Sequence, residues 1–368
     1  MLANYSEKTQ TTNMQQYLKI VLSLILLLWI MMMVTHMSMS QRFLIVQLQP
    51  NITKTKTKPE IAPAQRTRNF TKPFLYIINV KQCVAEHLTV ADMLGNPETL
   101  DVLVMSYGSP CNNAKRELRH FVYSYAPNTT WTSGRNAAWS YTQKHFEQYK
   151  YYIFMDEDCV LQTTMSRMLD INVLEKIRTL NMPILRQFEL FLLETQPAVA
   201  APFHADNASV FIRDILLCCP GHDNPNKLWN LPERIPMNKF DPIFAAFHCQ
   251  AIKYIMPLIT QFDTKNWWIA GHYLHLKSYY YFHRQLVRYT PMTVINPMHT
   301  NYPKFGGPSD VDLIKIIQSE VPDAVKNATR FTDDARRCLS PRYFTVHPLM
   351  PSFELAEIND TIEPFKYI

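Results

Sequence analysis

The stretch YYIFMDEDC, residues 151–159, decides how this chain is read. Tyr151 to Met155 run without a charge, and three acids, Asp156, Glu157 and Asp158, follow at once. A short apolar run bounded by a turn signal predicts a strand buried on both faces. Carboxylates where such a strand ends are costly to desolvate unless paired or bound to a metal ion. Just upstream, SGRNAAWSYTQKHFEQYK (133–150) predicts a helix, with Ser133 as N-cap and Ala138, Tyr141, His145 and Tyr149 on one face. FLYIINV (74–80), DVLVMSYG (101–108) and HFVYSYA (120–126) predict strands. Downstream come a helical tract over 163–195 interrupted at Pro183 and a strand over AVAAPF (198–203). FAAFHCQAIKYIMPL (244–258) reads as a strand turning into a helix. A further helix begins at NWWIAGHYLHL (266–276), a strand lies in MTVIN (292–296) and a helix covers 309–320. Strands alternating with helices predict an α/β domain with a mixed, mainly parallel sheet flanked by helices. Such sheets bind ligands beyond the carboxyl ends of their strands, where Asp156–Asp158 fall.

The 368 residues are 47% apolar and 18% charged, a globular composition with length for a proper core. Seven glycines against 20 Phe and 19 Tyr argue against a glycine-rich phosphate loop, and neither GxGxxG nor GxxxxGK[ST] occurs. The net charge of +6 is concentrated between Arg42 and Lys72, where seven Lys/Arg face only Glu60. The remainder is close to neutral, so no nucleic-acid footprint is expected.

Between Lys19 and Arg42 there is no Asp, Glu, Lys or Arg, and these 22 residues include the apolar run IVLSLILLLWIMMMV (20–34). That length spans a bilayer as a helix. The competing reading is a cleaved signal peptide, but the run is long for one and no small-x-small cleavage site follows it. The flanking charges do not fix the orientation. Sequons do better: Asn51, Asn69, Asn128, Asn207, Asn327 and Asn359 lie after the span and only Asn4 before it. All seven cysteines also lie after it, which suits an oxidising compartment. The expected layout is a cytoplasmic tail (1–19), a transmembrane signal anchor (20–39), a Pro/Thr/Lys-rich stem (40–73) and a luminal domain (74–368).

Hard divalent cations take oxygen ligands, and Mg²⁺ or Mn²⁺ is often held by one or two carboxylates plus substrate phosphates. In an extended D-x-D, Asp156 and Asp158 would share one face while Glu157 points away. The plainer alternative is a capping acid at a strand end with solvated neighbours. With GRNAAW, a spacing of about twenty residues and YYIFMDEDC, the chain resembles the GT-A-fold nucleotide-sugar glycosyltransferases. Its anchor, stem and luminal domain resemble the type II layout of the Golgi members of that class. The motif match covers residues 133–160.

The resemblance implies a single-pass Golgi membrane enzyme. It would move a sugar from a UDP- or GDP-sugar to a hydroxyl of a glycan, glycoprotein or glycolipid, with Mn²⁺ or Mg²⁺ as cofactor. It implies Asp158 as chief metal ligand, Asp156 at the ribose or the metal, and Arg135 and Asn136 near the nucleotide. A salt bridge and a helix cap are the alternative roles for that last pair. A late histidine, His299, is implied as third ligand, with His272 and His275 as fallbacks. On the acceptor side, Trp267 and Trp268 would pack on sugar rings, unless they are simply core. His272 stands where some families carry an acidic pair, so the base falls to Asp241, slightly ahead of Asp263. Two other readings stay open. One is a catalytically inactive GT-A-like domain that binds glycan or protein at the membrane. The other is an unrelated membrane-tethered metal-dependent hydrolase, for which neither HExxH nor GxSxG is present.

Overall fold

The computed structural model of the chain describes residues 71–112, 118–204, 231–237, 240–282, 285–297, 306–308 and 310–321. The tail, the anchor and all but the end of the stem lie outside them, as does His299. No helix among the described residues is long and apolar enough to cross a membrane.

The described strands are β1 (Phe74–Val80), β2 (Leu100–Ser106), β3 (Phe121–Tyr125), β4 (Tyr151–Asp156), β5 (Val160–Thr163), β6 (Val199–His204), β7 (Arg234–Pro236), β8 (Phe244–His248) and β9 (Leu286–Ile295). The helices are α1 (Trp131–His145), α2 (Ile171–Leu180), α3 (Ile184–Thr195), α4 (Cys249–Ile255), α5 (Trp268–Phe282) and α6 (Asp310–Glu320). One mixed sheet runs in the order β3-β2-β1-β4-β8-β6-β9-β5, with β7 on β9. β1, β2, β3 and β4 are parallel to one another, and β6 and β9 share their direction. β8 is inserted antiparallel between β4 and β6.

Alternation along the strands separates two cores. Leu75 and Ile77 of β1 and Tyr152 and Phe154 of β4 face the layer of α1, α4, α5 and α6. Tyr76 and Ile78, with Ile153 and Met155, face α3 through Leu185, Phe188 and Phe191. β4 is thus buried on both sides, as its unbroken apolar run predicts. Chain order reverses at β1: β2 and β3 extend the sheet to one side, and α1 returns the chain to β4 on the other. That arrangement makes the carboxyl ends of β1 and β4 a topological switch point.

Two boundaries and one helix face differ from the sequence expectation. α1 starts at Trp131, because Thr130 rather than Ser133 is the N-cap, the two closing a reciprocal capping box. Its buried stripe is Thr132, Gly134, Arg135, Ala138, Trp139 and Thr142, so of the expected face only Ala138 is buried within the helix. The face rotates because Arg135 turns inward to an acid. The tract 163–195 is not wholly helical: β5 precedes it and reaches Thr163, and Pro183 separates α2 from α3 as the N-cap of α3.

On the α3 side, the Tyr76 hydroxyl donates to Glu189 Oε1 at 2.8 Å and Arg186 Nη1 donates to Oε2 at 2.5 Å. Arg186 also binds the Met93 carbonyl and Thr99, so the network ties α3 to β1 and to the loop before β2. Burial outweighs these partners and pushes Glu189 from its ordinary 4.5 up to about 7. The folded state therefore holds a proton that the unfolded chain gives up from about pH 4.5. The associated stability is complete below pH 4.5 and is lost as pH rises through 7. Buried His248 runs the other way: held down near 4 by burial and Lys150, it costs stability as pH falls below 6.5. Subtracting the Glu189→Gln variant isolates the first effect. We expect wild type to lose up to about 3 kcal/mol relative to Glu189→Gln between pH 4.5 and 7.5, measured by urea unfolding.

Candidate functional site

The site is built on the end of β4. The Asp156 N–H donates to the Ile243 carbonyl at 2.8 Å, and Asp156 pairs in register with Asn79 of β1. By strand parity its side chain shares the face of Tyr152 and Phe154, on which α1 lies. Gly134 brings the first turn of α1 close: a Cβ there would stand 2.4 Å from Asn79 Nδ2. Trp131 and Arg135, one turn apart, then both reach Asp156. Arg135 Nη2 lies 2.6 Å from Asp156 Oδ1, and the Trp131 indole N–H donates to the two carboxylate oxygens at 3.3 and 3.4 Å. The guanidinium lies 4.0 Å over the Trp131 ring and 5.4 Å from that of Phe154. The Arg135 side chain is 3% exposed but that of Asp156 19%, so the carboxylate is the member that reaches an opening. Burial raises the Asp156 carboxyl above the ordinary range. Arg135 opposes that rise and Asp158 adds to it.

Beyond Asp156 the D-x-D is not extended. β4 ends there, and a turn follows, closed by the Cys159 N–H on the Asp156 carbonyl at 3.3 Å. The alternation argument that put Asp156 and Asp158 on one face therefore stops at Asp156. Glu157 accepts the Lys81 N–H at 3.2 Å on each oxygen, fastening the turn to the end of β1. The Lys81 carbonyl accepts the Gly108 and Ser109 N–H groups, and a Cys83–Cys111 disulfide joins the loops that follow β1 and β2. Gly108 is required there: a Cβ would lie 2.7 Å from the Lys81 carbonyl oxygen. Tyr107, 38% exposed at the rim, has its phenol raised by burial and then by Glu157, Asp156 and Asp158. The three acids act together as one negative focus. Among the described residues, no group of three or more His, Cys, Asp or Glu has the arrangement to hold a metal ion. Carboxylate oxygens are the donor type that Mg²⁺ or Mn²⁺ takes together with substrate phosphates, but Asp156 is already engaged by Arg135 at 2.6 Å.

Other expected residues gather around this edge. Asp263 is buried and accepts from Thr130, the N-cap beside Trp131, while its Oδ1 has no partner. Asp241 lies at the start of the β8 segment, where its Oδ1 accepts the Ile243 N–H at 3.2 Å. That is the residue whose carbonyl holds Asp156. Trp268, the first residue of α5, is 39% exposed and meets the His272 ring edge-on at 5.7 Å. α5 leans on the Asp241 segment: a Cβ on Gly271 would lie 3.6 Å from Pro242 Cγ, and His275 packs on Phe240 at 4.7 Å. Trp267, partly buried, sits in the turn before the helix. Asn136 turns away from Asp156: its amide donates to the Leu258 carbonyl and accepts the Leu258 N–H, each at 2.8 Å. It anchors the loop that carries Asp263.

Sequence reasoning missed Trp131 and His204. The T-x-x-S spacing of Thr130 and Ser133 was a usable signal for a helix starting at Trp131. Nothing local marks His204, which meets Asp241 through the sheet, with Nδ1 3.3 Å from Oδ2. No known protein family's model matches the chain, and no curated protein matches it. What the geometry itself defines is an α/β domain with an acidic turn at its topological switch point.

Removing Arg135 would leave a largely buried carboxylate unpaired. Arg135→Ala should destabilise the fold by about 3 kcal/mol. Arg135→Lys, which keeps the charge but loses the planar stack on Trp131, should cost less. Urea unfolding of both variants tests this, and a cost below about 1 kcal/mol for the alanine variant would show that the pair does not hold the site together.

Proposed function

We propose that the chain is a metal-dependent glycosyltransferase of GT-A type. It would move a sugar from a nucleotide-sugar donor to a hydroxyl of a glycan, glycoprotein or glycolipid. The observation that carries this reading is the acidic turn at the carboxyl end of β4, at the switch point of a mixed sheet. Asp158 and Asp156 would hold Mn²⁺ or Mg²⁺. When bound, the ion neutralises charge on the departing nucleotide diphosphate. Asp156, already oriented by Arg135 and Trp131, is the fixed member and suits a ribose hydroxyl or a metal-bound water. Glu157 shapes the turn by capping Lys81. Trp268 and His272 lie on α5, whose Gly271 and His275 pack on the Asp241 segment, and would offer an aromatic surface to an acceptor sugar. His299, just after β9, remains the proposed third ligand. The Cys83–Cys111 disulfide supports an oxidising compartment, in keeping with a type II Golgi membrane protein anchored by residues 20–39.

One observation favours a second reading. Arg135 already compensates Asp156, which a catalytically inactive GT-A-like glycan- or protein-binding domain would also show. Thermal unfolding with a panel of UDP- and GDP-sugars, with and without Mn²⁺, separates the two. The transferase reading expects a rise in Tm that needs both metal and Asp158 and disappears in Asp158→Asn. A folded protein that shifts with no donor would make the acidic turn a structural strand end and support the binding domain.

A further inference from the structure

Of the sequons, Asn128-Thr129-Thr130 is the one that falls among the described residues. It makes the turn from β3 into α1, at the sheet edge that also carries the acidic turn. The turn is tied down on both sides. The Ala126 N–H donates to the Ser106 carbonyl at 2.8 Å, which carries the contact of β2 with β3 one residue past β3. Thr129 Oγ1 donates back to the Ala126 carbonyl at 3.0 Å. Thr130 caps α1: its hydroxyl oxygen accepts the Ser133 N–H at 3.1 Å and the hydroxyl donates to buried Asp263.

Asn128 takes the remaining direction. It is exposed, and its φ of 59° is left-handed. Asn tolerates that backbone better than most residues, because its short side chain can hydrogen-bond locally. Here the amide makes no such bond: among the described residues it enters no hydrogen bond at all. The conformation alone therefore does not use the group that Asn brings. What remains is an exposed carboxamide on a fixed base, followed two residues later by a threonine, which is the acceptor pattern for N-linked sugar. The Cys83–Cys111 disulfide joins loops at the same edge and suits the compartment in which that modification is made.

We propose that Asn128 carries an N-linked oligosaccharide, rooted at the rim of the acidic turn. This rests on the luminal placement of the domain and deepens it. Asn128 Nδ2 bonds to the anomeric carbon of a lipid-linked oligosaccharyl diphosphate. The anomeric C–O bond breaks, its electron pair leaves on the lipid diphosphate, and the amide nitrogen gives up one proton to base. In the folded domain the Thr130 hydroxyl is held by Ser133 and Asp263, so the sequon is read before α1 is capped. Three residues on, Trp131 donates to Asp156. Three residues of chain reach at most about 11 Å, so the glycan is rooted within that distance of the Trp131 backbone.

The test uses the full chain expressed in cultured animal cells. The protein is digested and treated with peptide N-glycosidase in heavy-oxygen water, which turns each glycosylated Asn into labelled Asp. Mass spectrometry should find labelled Asp at 128 in most copies. Asn128→Asp suits the left-handed turn and leaves the Thr130 cap in place. It should migrate faster than wild type by one glycan on a denaturing gel, and glycosidase treatment should abolish the difference. Thr130→Ser keeps both hydroxyl and cap and should retain the glycan. Unlabelled Asn at 128 beside labelled Asp at another sequon would overturn the assignment and leave the luminal placement standing. A chain labelled at no sequon would remove the luminal placement, and the Asn128 glycan with it.

Discussion

The burial of Arg135 against Asp156 is the constraint around which the rest is arranged. A guanidinium this enclosed is tolerable only with a fixed counter-charge and a π-face, and Asp156, Trp131 and Phe154 supply them. The pair rotates α1 about its axis relative to the simple apolar pattern. It also requires a residue without a Cβ at Gly134, where α1 meets the end of β1. It leaves Asp156 as a carboxylate of set direction at the mouth of the sheet. Everything proposed for the site assumes that direction.

The strands were readable because this sheet is buried on both faces. β1, β4 and β8 are nearly continuous apolar runs, and the end of β4 is marked by three acids in a row. The start of α5 and the strand-to-helix passage from β8 to α4 were readable for similar reasons. β5 was not: Val160–Thr163 is a largely exposed edge strand whose burial follows no alternation, and only pairing with β9 makes it a strand. The antiparallel entry of β8 was equally silent, since strand direction is set by neighbours distant in sequence.

The site divides in the same way. Arg135 and Asp156 were each marked as site residues by the helix-then-strand resemblance, but their pairing was not, since a salt bridge stood only as an alternative role for Arg135 with no partner named. The geometry of Glu157 and Asp158 was not legible, because the alternation rule assumes that the strand continues past Asp156. Asn136, adjacent to Arg135 in sequence, points about 100° around the helix and serves the Leu258 loop instead. His204 and Asp241 carry no shared pattern, because they meet through the sheet from places distant in sequence.

The antiparallel β8 also has a bearing on synthesis. In a wholly parallel sheet, the carboxyl edge receives only strand ends and the loops that leave them. Here the beginning of a late strand is brought to that edge, and the Asp156 amide is satisfied by a carbonyl made much later in translation. A nascent chain that has just emerged through β4 presents its acidic turn with one wall missing and the edge of β4 unpaired on that side. Until β8 docks, that edge is a template for any other strand. Such long-range closure is slow to form.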